Sequence, residues 1–375
     1  MTPVRETPYR AAMEQENREH PPGTPRVWLL LAEKLGDNAQ VRALAAALPW
    51  TSEVRNLRMK AEFQFGKPRF RPSLDHLDPD LSDRLKPPWP DILITIGSRP
   101  SMAALWIRER SPTTRIVLIG RPKRWLDRFD LVITPPQYRL PEADNVYPLR
   151  LPLMRADPAR LAEAAARWRG TLADMPRPLT AVLVGGRTRP FRFDADTGRG
   201  LAGELASMVG RDGGSLFVTT SRRTGQEVTG ALAEEIRSPS RIFRFGVDPD
   251  SDNPYQALLA LADRFVVTGD SISMQVEVLG LGKPLAIFAL PTERSSRFWR
   301  SIATTRILEP GSQPGDWLRA RGLLGFARDL SGFHEQLYER GLAVPLGKPF
   351  RTPSTAIADE VRQAAARVIA LAPPT

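Results

Sequence analysis

Short apolar runs recur along the chain, each closed by glycine or a polar cluster and followed by a stretch with helical period. Runs that are apolar at consecutive positions, not at alternate ones, suit strands covered on both faces in a parallel sheet. They predict strands over Arg26–Ala32, Asp91–Gly97, Arg115–Gly120 and Asp130–Thr134, with weaker ones at Thr51–Leu57 and Val146–Leu149. A proline-rich break at Met175-Pro176-Arg177-Pro178 interrupts the pattern, which then restarts. Five more strands follow, at Thr180–Gly186, Ser215–Thr220, Arg241–Phe245, Arg264–Thr268 and Leu285–Leu290. Strands alternating with helices give an α/β protein of two doubly wound, Rossmann-like domains with a cleft between them. The divisions are a disordered tail at 1–24, an N-terminal domain at 25–176, a C-terminal domain at 177–345, and a last helix within 346–375 that packs back on the first domain.

The segment 252–291 shows the signals most fully. Asn253 suits an N-cap, Pro254 the first helical position and Gln256 the capping box. The buried strand Arg264–Thr268 leads through Gly269 into Asp270, Ser271 and Ser273, and then into a helix that Gly282 terminates. Free N–H groups and the dipole at that helix start favour an anion, and Glu277 follows one turn later. Phosphates on the amides with ribose hydroxyls on Glu277 fit this pattern. So does a plain helix cap at Asp270 or Ser271 with Glu277 in solvent.

In the second domain the other strand ends carry Gly185, Gly186 and Arg187, then Ser221, Arg222, Arg223 and Thr224. Amides, hydroxyls and planar guanidinium groups make a phosphate site, although Arg222 and Arg223 equally suit surface ion pairs. In the first domain the strand ends carry Gly36, Asp37 and Asn38, then Ser98, Arg99 and Ser101, which face the acceptor side of the cleft. Asp37 is the candidate base there, with capping of the nearby helix as its bland alternative.

Charge sharpens this picture. The 375 residues exceed one ordinary core. Net charge is +11, and all but seven of the 53 basic residues are arginine. Such a surface favours phosphates, nucleic acid or anionic membrane, although genomic base composition also raises arginine. The loop at 59–77, with Phe63, Phe65 and Phe70 among Lys60, Lys67, Arg69 and Arg71, suits a membrane surface or its own domain. No nucleic-acid module is recognisable, so nucleic acid is not an expected partner. The absence of cysteine excludes disulfides, thiol nucleophiles and Cys-bound zinc. His20, His76 and His334 are scattered, and the Asp-x-Asp triplets at 194–196 and 248–250 read as loops, so no metal is expected. No apolar run reaches the ~20 residues of a membrane span, and no signal peptide is visible at the start. These features predict a cytoplasmic protein, soluble or peripheral on the inner membrane.

The segments TSRRT (220–224), NPYQALLALADRFVVTGDSISMQVEVLGLGKP (253–284) and LGDNAQ (35–40) resemble the mitochondrial-fission Elm family, and the resemblance extends over residues 26–340. The arginine-rich composition points to a bacterial member. The family is similar to GT-B glycosyltransferases, and its plant branch is linked to recruiting a dynamin-related GTPase. Among GT-B enzymes, the MurG-type peptidoglycan N-acetylglucosaminyltransferases share the Ala-rich helix, the AD-x-VV strand, the Ser loop and the Glu-bearing helix. That likeness implies that Ser271, Ser273 and Met274 line the diphosphate and base, that Glu277 holds the ribose, and that Gly185 and Ser221 sit on the upstream strand ends. The sequence departs from that pattern in the first domain. KLGDNAQ replaces a glycine-rich loop with histidine, and Gly97-Ser98-Arg99 replaces a GxGG loop. The leading expectation is a metal-independent, cofactor-free glycosyltransferase that uses a nucleoside-diphosphate sugar and an acceptor that is soluble or membrane-linked. The alternative is a non-catalytic adaptor that recruits a protein partner, and the third reading is a sugar-nucleotide epimerase.

Overall fold

The computed structural model describes residues 23–65, 68–138, 140–154, 156–188, 191–249, 253–293, 313–320, 329–353 and 360–373. Nearly all of the expected tail, the RSSRFWR segment at 294–300 and part of the helical stretch at 315–327 lie outside these residues.

The first domain comprises β1 (Val27–Leu31), α1 (Leu35–Ala45), β2 (Ser52–Asn56), α2 (Ala61–Phe65), β3 (Ile92–Ile96), α3 (Ser98–Arg108), β4 (Arg115–Ile119), β5 (Leu131–Thr134) and β6 (Val146–Pro148). Then come α4 (Pro158–Ala173), β7 (Leu179–Val184), α5 (Ala195–Asp212), β8 (Ser215–Thr220), α6 (Gln226–Glu235) and β9 (Ser240–Phe243). The chain continues with α7 (Tyr255–Leu261), β10 (Arg264–Thr268), α8 (Ile272–Gly280), β11 (Leu285–Phe288), α9 (Gln313–Ala320), α10 (Leu330–Glu339), β12 (Val344–Pro345) and α11 (Glu360–Ile369).

The expected α/β architecture is present: two doubly wound domains, each with a six-stranded sheet. The sheet orders are β2-β1-β3-β4-β5-β6 and β12-β11-β10-β7-β8-β9, and every pairing is parallel. Strand order therefore reverses between β1 and β3 in the first sheet and between β7 and β10 in the second. Open α/β sheets bind ligands at such switch points, outside the carboxyl ends of the strands.

Both faces of the first sheet are covered, which is why its strands read as unbroken apolar runs. Val27, Leu29 and Leu31 face Val41 and Leu44 of α1 and Val361, Ala364 and Val368 of α11. Trp28 and Leu30 face Met102, Leu105 and Ile107 of α3. The last helix thus packs on the first domain, where Glu360 accepts from the Arg150 N–H at 3.1 Å. A bond between the domains runs from the Asp329 N–H to the Gln137 carbonyl at 2.8 Å.

Several expectations need correction. Helix α1 starts at Leu35, so Gly36, Asp37 and Asn38 lie in its first turn rather than in a strand-end loop. The Asn38 amide turns back to the end of β1, donating to the Ala32 carbonyl at 2.6 Å and accepting from its N–H at 3.3 Å. Leu149 and Leu153 belong to the first core, whereas Leu151, Leu172 and Met175 belong to the second, so α4 packs with the second domain. The second sheet has six strands rather than five, because the two-residue β12 pairs with β11. In the 59–77 loop Phe70 is buried and Phe63 packs against the core, so these rings face inward. The N-cap signals at Asn253 hold in part: its side chain accepts from the Tyr255 N–H at 3.0 Å.

Candidate functional site

The floor of the cleft forms where β7, β8 and β10 end. Thr268 and Asp270 bond each other at 2.7 Å. The Gly185 N–H donates to the Thr268 hydroxyl at 2.8 Å, and the Gly186 N–H donates to the Asp270 carboxylate at 2.9 Å. The glycines are required by this closeness. A Cβ on Gly185 would lie 2.3 Å from an Asp270 carboxylate oxygen, and one on Gly186 would lie 2.1 Å from the Arg223 carbonyl oxygen. Ser221 and Thr224 complete the knot. The Ser221 hydroxyl donates to the Gly185 carbonyl at 2.9 Å, and the Thr224 hydroxyl accepts from the Ser221 N–H at 2.8 Å.

Arg223 reaches across this floor to Asp270, whose side chain is fully buried, at 3.4 Å. Burial pushes the Asp270 carboxyl above its usual range, against the opposing pull of the Gly186 and Thr268 bonds and the Arg223 charge. Asp270 therefore does not cap α8, and Ser271, the N-cap residue, makes no side-chain cap bond either. The N-terminus of α8 is left open toward the cleft.

Beneath this loop lies His334 of α10, only 7% exposed. Its Nε2 lies 3.3 Å from the Gln275 amide nitrogen. A Cβ on Gly269 would approach its ring to 3.0 Å. Burial pulls the His334 pKa down to about 4, so the ring is neutral at neutral pH.

The cleft has a volume of about 810 Å³ and is lined from both domains. The second domain contributes Arg222, Arg223, Asp270, Ser271, Ile272 and Ser273, with Leu330 at the start of α10. The first domain contributes Gly36, Asp37 and Gln40 of α1, then Gly97 and Ser98 at the end of β3. Arg121 and Lys123 follow β4, and Gln137 and Tyr138 follow β5. Lys34 completes a charged lining of five cations (Lys34, Arg121, Lys123, Arg222, Arg223) and two carboxylates (Asp37, Asp270). Lys34 lies 3.9 Å from Asp37. Arg222 is exposed and has no ion-pair partner among the described residues.

Of the residues singled out from the sequence, Gly36, Asp37, Ser98, Arg222, Arg223, Asp270, Ser271 and Ser273 meet in the cleft. Gly185, Gly186, Ser221 and Thr224 lie outside its lining and knit the floor. Arg187 pairs with Glu293 at 3.5 Å. Met274 packs against the second core. Glu277 is also outside the lining. It accepts from the Tyr255 hydroxyl at 2.8 Å, and burial raises its pKa against the pull of that bond. Ser101 is buried and bonded to the Gly97 carbonyl, and Asn38 and Arg99 line a smaller adjoining cavity.

Sequence reasoning missed Gln40, Arg121, Lys123, Gln137 and Tyr138. Arg121 and Lys123 directly follow the expected strand Arg115–Gly120, so a signal for them is present in the sequence. Among the described residues no group of three or more His, Asp or Glu side chains could hold a metal ion, and no helix is long and apolar enough to cross a membrane.

The family model for mitochondrial fission ELM1 matches residues 35–310. Mitochondrial fission protein ELM1 of Arabidopsis thaliana is 31% identical over 222 residues, which cover 53% of this chain and 51% of the plant protein, about half its length. The uncharacterized protein RP120 of Rickettsia prowazekii is 26% identical over 308 residues, covering 72% of this chain and 84% of that protein. Among solved structures, UDP-GlcNAc 2-epimerase from Methanocaldococcus jannaschii aligns with a TM-score of 0.45 at 9% identity, over 92% of this chain and 99% of that one. A glycosyltransferase from Rickettsia africae aligns with a TM-score of 0.40 at 11% identity, over 84% and 99% of the two chains.

Proposed function

The chain belongs to the mitochondrial fission ELM1 family, and we propose that its cleft binds a nucleoside-diphosphate sugar and transfers the sugar, without a metal, to an acceptor held by the first domain. The observation that carries this reading is the meeting of both switch points in one space lined by five cations and two carboxylates. Arg222, Arg223 and the open start of α8 take the diphosphate, and their donors stabilise it as it leaves. The acceptor oxygen attacks the anomeric carbon as the bond from that carbon to the diphosphate breaks. The diphosphate departs with the electron pair, and the acceptor proton passes to Asp37. Asp270 is already bonded on both oxygens and anchors the floor. Glu277 lies outside the lining and is bonded to Tyr255, so it takes no part in holding the ligand.

Thermal unfolding with a panel of nucleoside diphosphates and their sugar conjugates tests the reading, on wild type and on Arg222→Ala. A ligand at 100 times its Kd stabilises by about 2.7 kcal/mol. The expected result is a nucleotide-specific shift that the variant loses. Conversion of the donor with no acceptor present would make the protein an epimerase instead.

The family match and the name of the Arabidopsis relative favour a second reading, a non-catalytic adaptor that recruits a protein partner on the same scaffold. A folded chain that shifts with no nucleotide supports the adaptor.

A further inference from the structure

A second cavity, of about 440 Å³, adjoins the cleft inside the first domain. Lys34, Asp37, Ile96, Gly97, Ser98 and Lys123 line both spaces. The cavity sits at the carboxyl ends of β1 and β3, where the strand order reverses, the position at which open α/β sheets take ligands. Its volume falls in the range of small-molecule sites.

The lining has two chemical characters. One wall is apolar, built from Phe70, Met102, Pro68 and Pro100. Phe70 is braced from behind by Trp125, with ring centroids 5.6 Å apart. Trp125 holds φ of +53°, and among the described residues no other non-glycine has positive φ. Arg128 covers the Trp125 ring at 4.6 Å. A bulky residue keeps such a backbone only where its surroundings enforce it, and such strain clusters at binding sites. The strained turn follows directly on Lys123, at the junction of the two spaces.

The mouth is charged. Lys34, Arg99 and Lys123 stand against Glu33 and Asp37. Glu33 is engaged elsewhere, accepting from the Met59 N–H at 2.7 Å. Lys34 lies near Asp37, while Lys123 is exposed and without an ion-pair partner among the described residues. Helices α1 and α3 both begin here, and neither carries a side-chain cap, so their free N–H groups add to the positive field. A bare phosphate would leave the apolar wall empty, and a neutral sugar would leave the Lys123 charge without a counter-ion.

We propose that this side cavity binds a phosphate ester of an apolar alcohol, with the apolar body against Phe70 and Met102 and the phosphate at Lys123, Arg99 and the start of α3. If the glycosyl-transfer reading holds, this molecule is the acceptor, presented to the cleft past Gly97 and Asp37. Binding itself does not depend on that reading. The same chemistry is found in a soluble phosphate ester and in the headgroup end of a membrane lipid.

Calorimetric titration of the full chain with hexyl phosphate and with inorganic phosphate tests the site. Hexyl phosphate should bind at least about ten-fold more tightly than inorganic phosphate, because only it covers the apolar wall. Arg99→Ala should weaken it about ten-fold, and the milder Phe70→Leu should weaken hexyl phosphate while sparing inorganic phosphate. Equal affinity for the two phosphates, or hexyl phosphate binding unmoved by both variants, would overturn the proposal. Sedimentation with phosphatidylcholine vesicles, with and without phosphatidic acid, separates the sources. Vesicle binding that hexyl phosphate reverses assigns a lipid; hexyl phosphate binding without vesicle binding assigns a soluble ester. A chain that takes hexyl phosphate but no nucleotide would sink glycosyl transfer and leave this site standing.

Discussion

On the second-domain side of the cleft, loops from different strands are bonded to one another. Gly185 and Gly186 reach Thr268 and Asp270, Ser221 reaches Gly185, and Arg223 reaches Asp270. On the first-domain side Asn38 bonds to Ala32, Ser101 to Gly97 and Lys34 to Asp37, all within a few residues, and longer ties run from the Met59 N–H to Glu33 and between His76 and the Arg99 carbonyl. Both sides stand at a switch point and both open a helix N-terminus to the ligand. The difference lies in preorganisation. Donors fixed in place before a ligand arrives favour binding, because no ordering is then left to do, and the second-domain loops are tied directly to one another. In the facing wall, which holds the second cavity, the ties run instead back to the end of β1 and out to the 59–77 loop.

The sharpest way to break this comparison is one substitution at both strand ends. In Gly186→Ala the new methyl would sit 2.1 Å from the Arg223 carbonyl oxygen and 2.2 Å from its carbon, so backbone must move. We expect a cost of about 3 kcal/mol and loss of ligand binding in the cleft. In Gly97→Ala no atom lies within 4 Å, but φ is +84° and ψ 166°, a region open essentially to glycine alone. That strain costs about 2 kcal/mol. Urea unfolding measures both. Equal costs, with cleft binding kept in Gly186→Ala, would mean that the knot is not what sets the second-domain wall apart.

Acid should also separate the two sides. The folded pKa of His334, about 4, lies below its ordinary 6.5. Its neutral ring therefore adds stability in full above pH 6.5, and that stability is lost as pH falls from 6.5 toward 4. The loss reaches about 3 kcal/mol. Asp270 and Glu277 work the other way, because their raised pKa values favour the folded state as acid protonates them. Subtracting the pH profile of His334→Gln from that of wild type isolates the histidine. Amide exchange at 269–273 should rise in acid, while exchange at 34–38 should not follow it. Identical profiles for the two proteins would remove His334 as the support of that loop.

Much of the second-domain side was legible in the sequence because its signals are local. The glycine pair, the TSRRT loop and the GDSIS loop each follow a strong apolar run. What the glycines make room for was not legible, since Asp270 and Arg223 reach them only through the folded sheet. The same holds for His334 beneath Gly269 and for Tyr255 against Glu277. On the first-domain side even local structure was misread. Helix α1 begins at Leu35 with no cap bond from the Lys34 side chain, so LGDNAQ reads as a loop. In the second sheet, strand β12 is two residues long and contains a proline. Lys123 and Gln137 follow readable strands, but among so many basic and polar residues only tertiary placement distinguishes them.

The smallest expected effect tests how independent the first-domain loops are. Asn38 ties the start of α1 to the end of β1 through its two bonds to Ala32. Asn38→Ala removes both and lets water reach the freed Ala32 groups, which are half-buried. The loss should be about 1 kcal/mol, the ordinary net worth of such bonds. Because Asn38 lines the side cavity but not the cleft, the variant should loosen hexyl phosphate while the second-domain knot stays intact. Amide exchange can show this directly, with Gly36 and Asp37 exchanging faster and Gly185 and Gly186 unchanged. Faster exchange at the glycine pair as well would mean that the two walls share one cooperative unit, and the contrast between them would fail.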